Sequence, residues 1–370
     1  MAAPKTTVWQ LDPHTRAKHE ILRRYLEAWT AILSLGKFPV IAYVDGFAGP
    51  GVYESGDDGS PIIAIKAALQ HAAKIPKPHK LLFLFIEKDI ERAEHLQQLV
   101  AGMKLPANFH WHVASGVTFE EGFRANLLGF YKKKAKPLPP TFAFIDPFGW
   151  TKVPFELVKE ILANPSCEVL INFMFEEINR FISHPNQVEN FDLLFGTDRW
   201  REVNEIAEPR VRRQFLHDLY VGQLREAAGA KYVRSFEMRN DKDVTDYFLF
   251  FATNSAKGIQ KMKDAMWKID QSGEFRFSDA TNPAQTLLFS PSPDYDALKR
   301  AILSEFSGRE VSVAEIEDYV LAETPFRETH YKRQVLVPLE QAGIVAPIDP
   351  PPRRRSGAFS DSLRLRFVAR

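Results

Sequence analysis

Apolar residues recur along this chain with two alternating periods. Over residues 14–35, Ile21, Leu22, Tyr25, Leu26, Trp29, Ile32 and Leu33 repeat at helical spacing and predict an amphipathic helix that stops at Gly36. Short β-branched and aromatic runs then alternate with helical stretches. Strands are predicted over 40–44, 80–86, 109–113, 141–145 and 168–173, and helices over 60–70, 90–103, 119–131 and 154–162. Ser60 and Pro61 supply the cap and the first-turn proline of the second helix. This alternation predicts a parallel sheet with helices on both faces.

The pattern breaks over 176–230, a helical insertion rich in charged and aromatic residues. Strand-like runs over 231–238 and 247–252 then flank the turn Asn240-Asp241-Lys242-Asp243, as in an antiparallel hairpin. Five parallel strands and a closing hairpin make a doubly wound, mostly parallel seven-stranded α/β sheet with an antiparallel edge. From residue 291 the texture changes: helices over 295–306, 313–322 and 328–342 precede a strand-like end over 363–368. That order predicts a winged helix-turn-helix, hence a first domain over 1–290 and a second over 291–370.

Composition changes this picture little. Of 370 residues, 45% are apolar and 26% charged, as in ordinary globular proteins, and the net charge of +1 excludes a globally basic nucleic-acid binder while leaving local patches open. Cys167 is the only cysteine, which excludes an internal disulfide framework and a cysteine-based metal site. His110 and His112 lack a third ligand nearby, so no metal is expected. Residues 1–9 lack the apolar core of a signal peptide, and the longest apolar runs are strand length; a cytoplasmic protein without a membrane span is the expectation.

Candidate chemistry gathers at strand ends. The first strand ends in Asp45-Gly46-Phe47-Ala48-Gly49-Pro50-Gly51, a glycine-rich turn that lets the backbone approach a bulky ligand. Its spacing is neither that of the dinucleotide fingerprint nor that of a P-loop. Glu87 ends the second strand, where a carboxylate can accept from two ribose hydroxyls or simply be solvated. The fourth strand ends in Asp146-Pro147-Phe148-Gly149. The Asp146 carboxylate and the Pro147 carbonyl can accept from a base amino group, and Phe148 can stack on the ring; the alternative is an Asp-Pro turn with Phe148 in the core. Asn172 ends the fifth strand near the same edge, while Lys18 and His19 could approach a cofactor or substrate but read better as a solvated face of the first helix.

With these motifs the chain resembles a class I S-adenosylmethionine-dependent methyltransferase over about residues 38–270. The resemblance implies that Asp45, Gly46, Phe47, Ala48, Gly49 and Gly51 cradle the cofactor's amino-acid end and that Glu87 holds its ribose. Adenine contact would fall to Ser115 or to the backbone, in Ala114-Ser115-Gly116, where the family often has an acid. Asp146, Pro147 and Phe148 resemble the Asp-Pro-Pro-Tyr class of motif, which implies a catalytic role in methylating a base amino nitrogen. A closer resemblance is to the bacterial three-Cys-motif partner (TcmP) family, carried by residues 14–22, the 46–51 turn, Gly59-Ser60-Pro61, Asp146-Pro147-Phe148-Gly149, and Ile171-Asn172-Phe173 leading to Ile178-Asn179-Arg180. It implies a partner protein with a three-cysteine, radical-SAM-like motif, for which this chain is an enzyme or a non-catalytic auxiliary.

The carboxyl-terminal region carries its own signal. Residues 353–370 hold six arginines against one acid, Asp361. Arg353, Arg354 and Arg355 fall at the expected wing tip, and His330, Lys332 and Arg333 on the expected recognition helix, an arrangement suited to nucleic acid. A winged helix used only for protein contact is the alternative.

Overall fold

The computed structural model describes residues 6–71, 79–150, 153–279 and 293–368. The chain divides into two compact units, 1–261 with 276–285, and 262–275 with 286–370. The boundary expected near residue 290 lies outside the described residues.

The first unit opens with α1 (Pro13–Ser34) and continues through β1 (Val40–Asp45), α2 (Ser60–Leu69), β2 (Lys80–Glu87), α3 (Ile90–Ala101) and β3 (Phe109–Ser115). Helices α4 (Phe119–Phe123) and α5 (Gly129–Lys133), joined by the π-helical turn Arg124–Leu128, occupy the place of one expected helix. Then come β4 (Thr141–Ile145), α6 (Phe155–Leu162) and β5 (Cys167–Phe173). The insertion holds α7 (Phe175–Phe181), α8 (Val188–Phe195) and α9 (Pro209–Gly222), and is followed by β6 (Tyr232–Arg239), β7 (Thr245–Thr253) and, after α10 (Ala256–Ile269), which belongs to this unit only up to residue 261, by β8 (Arg276–Ser278).

The strands lie in the order β3-β2-β1-β4-β5-β7-β6-β8. Strands β1 to β5 are mutually parallel, β7 is antiparallel to β5 and β6, and β8 runs parallel to β6. The sheet therefore has eight strands rather than seven: β8 spans three residues, too few to show a period-two pattern. The central strands β4 and β5 are buried along their whole length, which is why they read as continuous apolar runs. An aromatic layer backs the sheet under α1, where Tyr43 stacks on Phe142 and Tyr25 lies 5.2 Å from the same ring. Gly46 is needed for close packing, since a Cβ there would sit 2.7 Å from the Phe119 ring.

The second unit contains α11 (Tyr295–Phe306), β9 (Glu310–Ser312), α12 (Val313–Glu323), α13 (Glu328–Tyr331), α14 (Val337–Gln341), β10 (Val345–Ile348) and β11 (Arg364–Phe367). A π-helical turn, Lys332–Leu336, joins α13 to α14. Strands β10, β11 and β9 form a three-stranded antiparallel sheet, so the wing gains a strand that three residues could not announce. Residues 262–275 belong here for a polar reason as well as an apolar one. The fully buried Lys263 donates from Nζ to the carbonyls of Val320 and Phe326, each at 2.8 Å, and Trp267 Nε1 donates to the Pro325 carbonyl at 2.9 Å. Lys263 thus shares the Val320 carbonyl near the end of α12 with the Thr324 hydroxyl, which donates to it at 2.8 Å, and reaches the Phe326 carbonyl just beyond the helix. Among the described residues, no helix is long and apolar enough to cross a membrane.

Replacing Lys263 by Met keeps the stem and takes this donor from the Phe326 carbonyl, while Val320 keeps the Thr324 hydroxyl. Urea unfolding of Lys263→Met is expected to show a loss of about 2 kcal/mol, within the range for a buried polar group deprived of its partner.

Candidate functional site

The strand order reverses at β1, with β2 on one side and β4 on the other, and a crevice opens beyond the carboxyl ends of these three strands. Each of the three ends in or runs into an acid: Asp45, Glu87 and Asp146. Two cavities fill the crevice. One, about 1000 Å³ including its open mouth, is walled by Ala48, Gly49 and Gly51, by Asp146, Pro147, Phe148 and Gly149, and by residues of α1 and β7. The other, of similar volume, is walled by Gly46, Glu87, Arg92, Val117 and Thr118. Phe47 and Phe148 border both.

The glycine turn is held from beneath. Asp45 lies fully buried behind it and lines neither cavity; its carboxylate accepts from the Tyr43 hydroxyl at 3.0 Å and from the Phe47 N–H at 3.3 Å. Burial raises this carboxyl from 3.8 to about 7, against the hydrogen bonds of Ser60, Tyr43 and Phe47. Gly49 and Gly51 take left-handed φ of +61° and +84°, and the Gly59 N–H donates to the Gly51 carbonyl at 2.8 Å. A Cβ on Gly59 would meet the Gly51 carbonyl carbon at 2.9 Å, so the two backbones touch.

Glu87 connects the turn to the second strand. One carboxylate oxygen accepts from the Gly49 N–H at 2.8 Å and the other from the Asp89 N–H at 2.8 Å. Burial nevertheless pushes its pKa up. Glu87 lines the second cavity, and each of its oxygens can accept a further hydrogen bond, which suits a diol. Ser115 is exposed and lines neither cavity; Val117 and Thr118, just beyond it, form that wall instead.

At the end of β4, Asp146 is engaged on both oxygens. Lys18 Nζ donates to Oδ2 at 2.6 Å and Asn172 Nδ2 to Oδ1 at 2.6 Å. Lys18 and His19 are buried rather than solvated, and both line the cavity. Burial, reinforced by Lys18, lowers the His19 ring to about 3 and keeps it neutral. The apolar period of α1 could not reveal this, because the partner of Lys18 lies 128 residues away. Trp9 and Arg92 also went unread. The Arg92 guanidinium lies 4.9 Å from the Trp9 ring and 5.7 Å from that of Phe148, and the two rings meet edge to face at 5.3 Å. Phe148 is thus partly exposed at the junction of the cavities rather than in the core.

In the second unit the expected cations have different fates. Arg333, Arg353 and Arg355 are exposed and make no ion pair among the described residues. Arg354 is committed: both terminal nitrogens bond the Glu340 carboxylate, at 2.6 and 3.0 Å, and its guanidinium covers the Phe359 ring. His330 is buried against Trp267 and Tyr295, and Lys332 is paired with Asp361 at 2.9 Å. Among the described residues, no group of three or more His, Cys, Asp or Glu side chains is placed to hold a metal ion.

A family model described as a GMT-like wHTH domain matches residues 276–352. Among solved structures, the chain is similar to a protein of Porphyromonas gingivalis W83 described as a "putative methyltransferase", at 12% identity and TM-score 0.28 over 61% of this chain and 40% of that one. It is similar also to a "putative O-methyltransferase" of Klebsiella pneumoniae, at 13% identity and TM-score 0.30 over 66% of this chain and 92% of that one. A third is the cyclopropane synthase MmaA2 of Mycobacterium tuberculosis, at 10% identity and TM-score 0.26 over 70% of each chain. The chain spans two-fifths of the length of the Porphyromonas protein. No curated protein matches it.

Asp45 makes stability depend on pH in a definite direction. Its folded pKa lies above its unfolded value, so its contribution is complete below about pH 4 and is lost as pH rises through about 7. Relative to Asp45→Asn, the wild type is expected to lose about 1 kcal/mol per pH unit across that window, read by urea unfolding at a series of pH values.

Proposed function

We propose that the first unit binds S-adenosylmethionine across the glycine turn and transfers its methyl group to an acceptor on the Asp146 side, and that the winged helix contacts nucleic acid. The observation that carries this reading is the pair of cavities meeting at Phe47 and Phe148, with Glu87 fixed to the Gly49 amide between them. The chain's groups fit such a cofactor. Glu87 offers acceptor lone pairs to a ribose diol, and the missing Cβ at Gly49 leaves room that a side chain would fill toward Trp9, 3.5 Å away. When bound, the sulfonium supplies an electrophilic methyl group. The residues then act by position: Glu87 and the turn orient, while the Asp146 side holds the acceptor in line. A non-catalytic auxiliary would share the pocket and lack only the transfer.

A base amino nitrogen, the acceptor suggested by the Asp-Pro-Phe motif, finds less support, because Lys18 and Asn172 already engage both Asp146 oxygens. A nucleic-acid partner is supported by Arg333, Arg353 and Arg355, which remain available for phosphate.

Calorimetry with S-adenosylmethionine and with S-adenosylhomocysteine tests the pocket. Binding is expected, with a loss of tenfold or more, about 1.4 kcal/mol, in Glu87→Ala and in Gly49→Val. No binding by the wild type overturns the reading, and transfer of labelled methyl to nucleic acid separates enzyme from auxiliary. For the winged helix, binding to duplex DNA is expected to weaken with salt at a logarithmic slope of about −3, set by three arginine–phosphate contacts, and to weaken further in Arg353→Ala/Arg355→Ala. A salt-independent association, or none, leaves protein contact as its role.

A further inference from the structure

The hydrogen-bonding demands of the Asp146 pocket restrict what the acceptor can be. Lys18 is buried, yet its ammonium, which carries three donors, has a single hydrogen-bond acceptor among the described residues, Asp146 at 2.6 Å. The Tyr247 ring lies 5.3 Å from Nζ and faces a second side. At least one donor is left for a ligand. Asn172, also buried, has the complementary need. Its amide nitrogen is oriented by donation to Asp146 Oδ1, since a carboxylate accepts only, and its own Oδ1 is buried without a partner. Both groups line the same cavity as the glycine turn.

A ligand that satisfies both must accept from Lys18 and donate to Asn172. A conjugated amino group donates but offers no useful lone pair, and a carboxylate accepts but has no proton to give. A hydroxyl does both. We propose that the methyl acceptor is a hydroxyl seated between Lys18 and Asn172, an inference that rests on the methyltransferase reading above. The hydroxyl oxygen attacks the methyl carbon, forming a C–O bond. The C–S bond breaks with its electron pair left on sulfur. The methylated oxygen then releases the hydroxyl proton, held until then by Asn172 Oδ1, to solvent at the open mouth of the cavity, so the products are a methyl ether, a neutral thioether and one proton. Lys18 keeps its own proton and stabilises negative charge as it grows on the attacking oxygen. Asp12 also lines this cavity, but it is exposed at the rim, where water screens it.

Phenol and aniline are near-isosteric, both neutral at pH 7.5, and differ in the feature that matters. Their binding is measured by ligand-observed NMR on the full chain, with and without saturating S-adenosylhomocysteine. Phenol is expected to bind at least tenfold tighter than aniline, and the ratio to fall toward one in Lys18→Met and in Asn172→Leu. Equal or tighter binding of aniline, no binding of phenol, or a ratio unchanged in Lys18→Met overturns the proposal. The wild-type comparison stands alone if a variant fails to fold. Failure of S-adenosylhomocysteine to bind is a separate result that sinks the cofactor reading, while the phenol-to-aniline ratio without it still reads the pocket.

Discussion

The reversal of strand order at β1 is the constraint from which the rest of the first unit follows. A parallel sheet brings the carboxyl ends of its strands to one edge, and a reversal leaves that edge uncovered at a single place. With β1 between β2 and β4, an acid at each strand end becomes a triad of acids around one crevice. The three then diverge through their surroundings. Asp45, sealed behind the turn, is pushed toward neutrality, and Glu87 is held by two backbone amides. Asp146 faces a lysine. One local rule, applied three times, yields a buried support, a carboxylate fixed by two backbone amides and a charged pair at the cavity wall.

The Lys18–Asp146 pair is poor value as a stabilising device. Taking both charges out of water costs several kcal/mol per ion, and apolar residues of similar size often serve as well. The apolar burial that stabilises this region comes from elsewhere, from the Tyr25, Tyr43 and Phe142 layer under α1. A pair that contributes little to stability yet leaves ammonium donors unfilled is better understood through what it can bind. Helix α1 is what carries Lys18 and His19 to this edge, where both are buried and line the cavity.

What could be read in advance follows the range of the interactions involved. The strand-end acids, the glycine turn and the winged-helix order are local patterns, visible over a few residues, and they lie where expected. Lys18 was misread because helical periodicity reports the apolar stripe and says nothing of a carboxylate 128 residues away. The wing-tip run Arg353-Arg354-Arg355 does not reveal that Arg354 is committed, because its partner, Glu340, lies on another element. Strands β8 and β9 exist only through pairing with longer neighbours, and three residues carry no period. Ser115 was named by position after β3, but the chain turns at Gly116, φ +73°, and the cavity wall is formed two residues later.

The same distinction between counting charges and locating their partners bears on the wing. The arginine excess over 353–370 suggests a broad positive surface, yet Arg364 and Arg366 both lie near Glu310, and Arg354 grips Glu340. The Glu340 carboxylate also accepts from the Gly357 N–H at 2.9 Å, and Arg354 Nε donates to the Ala358 carbonyl at 2.8 Å. These bonds close the loop over its own base. Arg353 and Arg355 therefore flank a residue that is already fixed, so any ligand they met would cost less backbone freedom. Arg354 thus shapes the loop, and within it Arg353 and Arg355 are the arginines left exposed without an ion pair among the described residues.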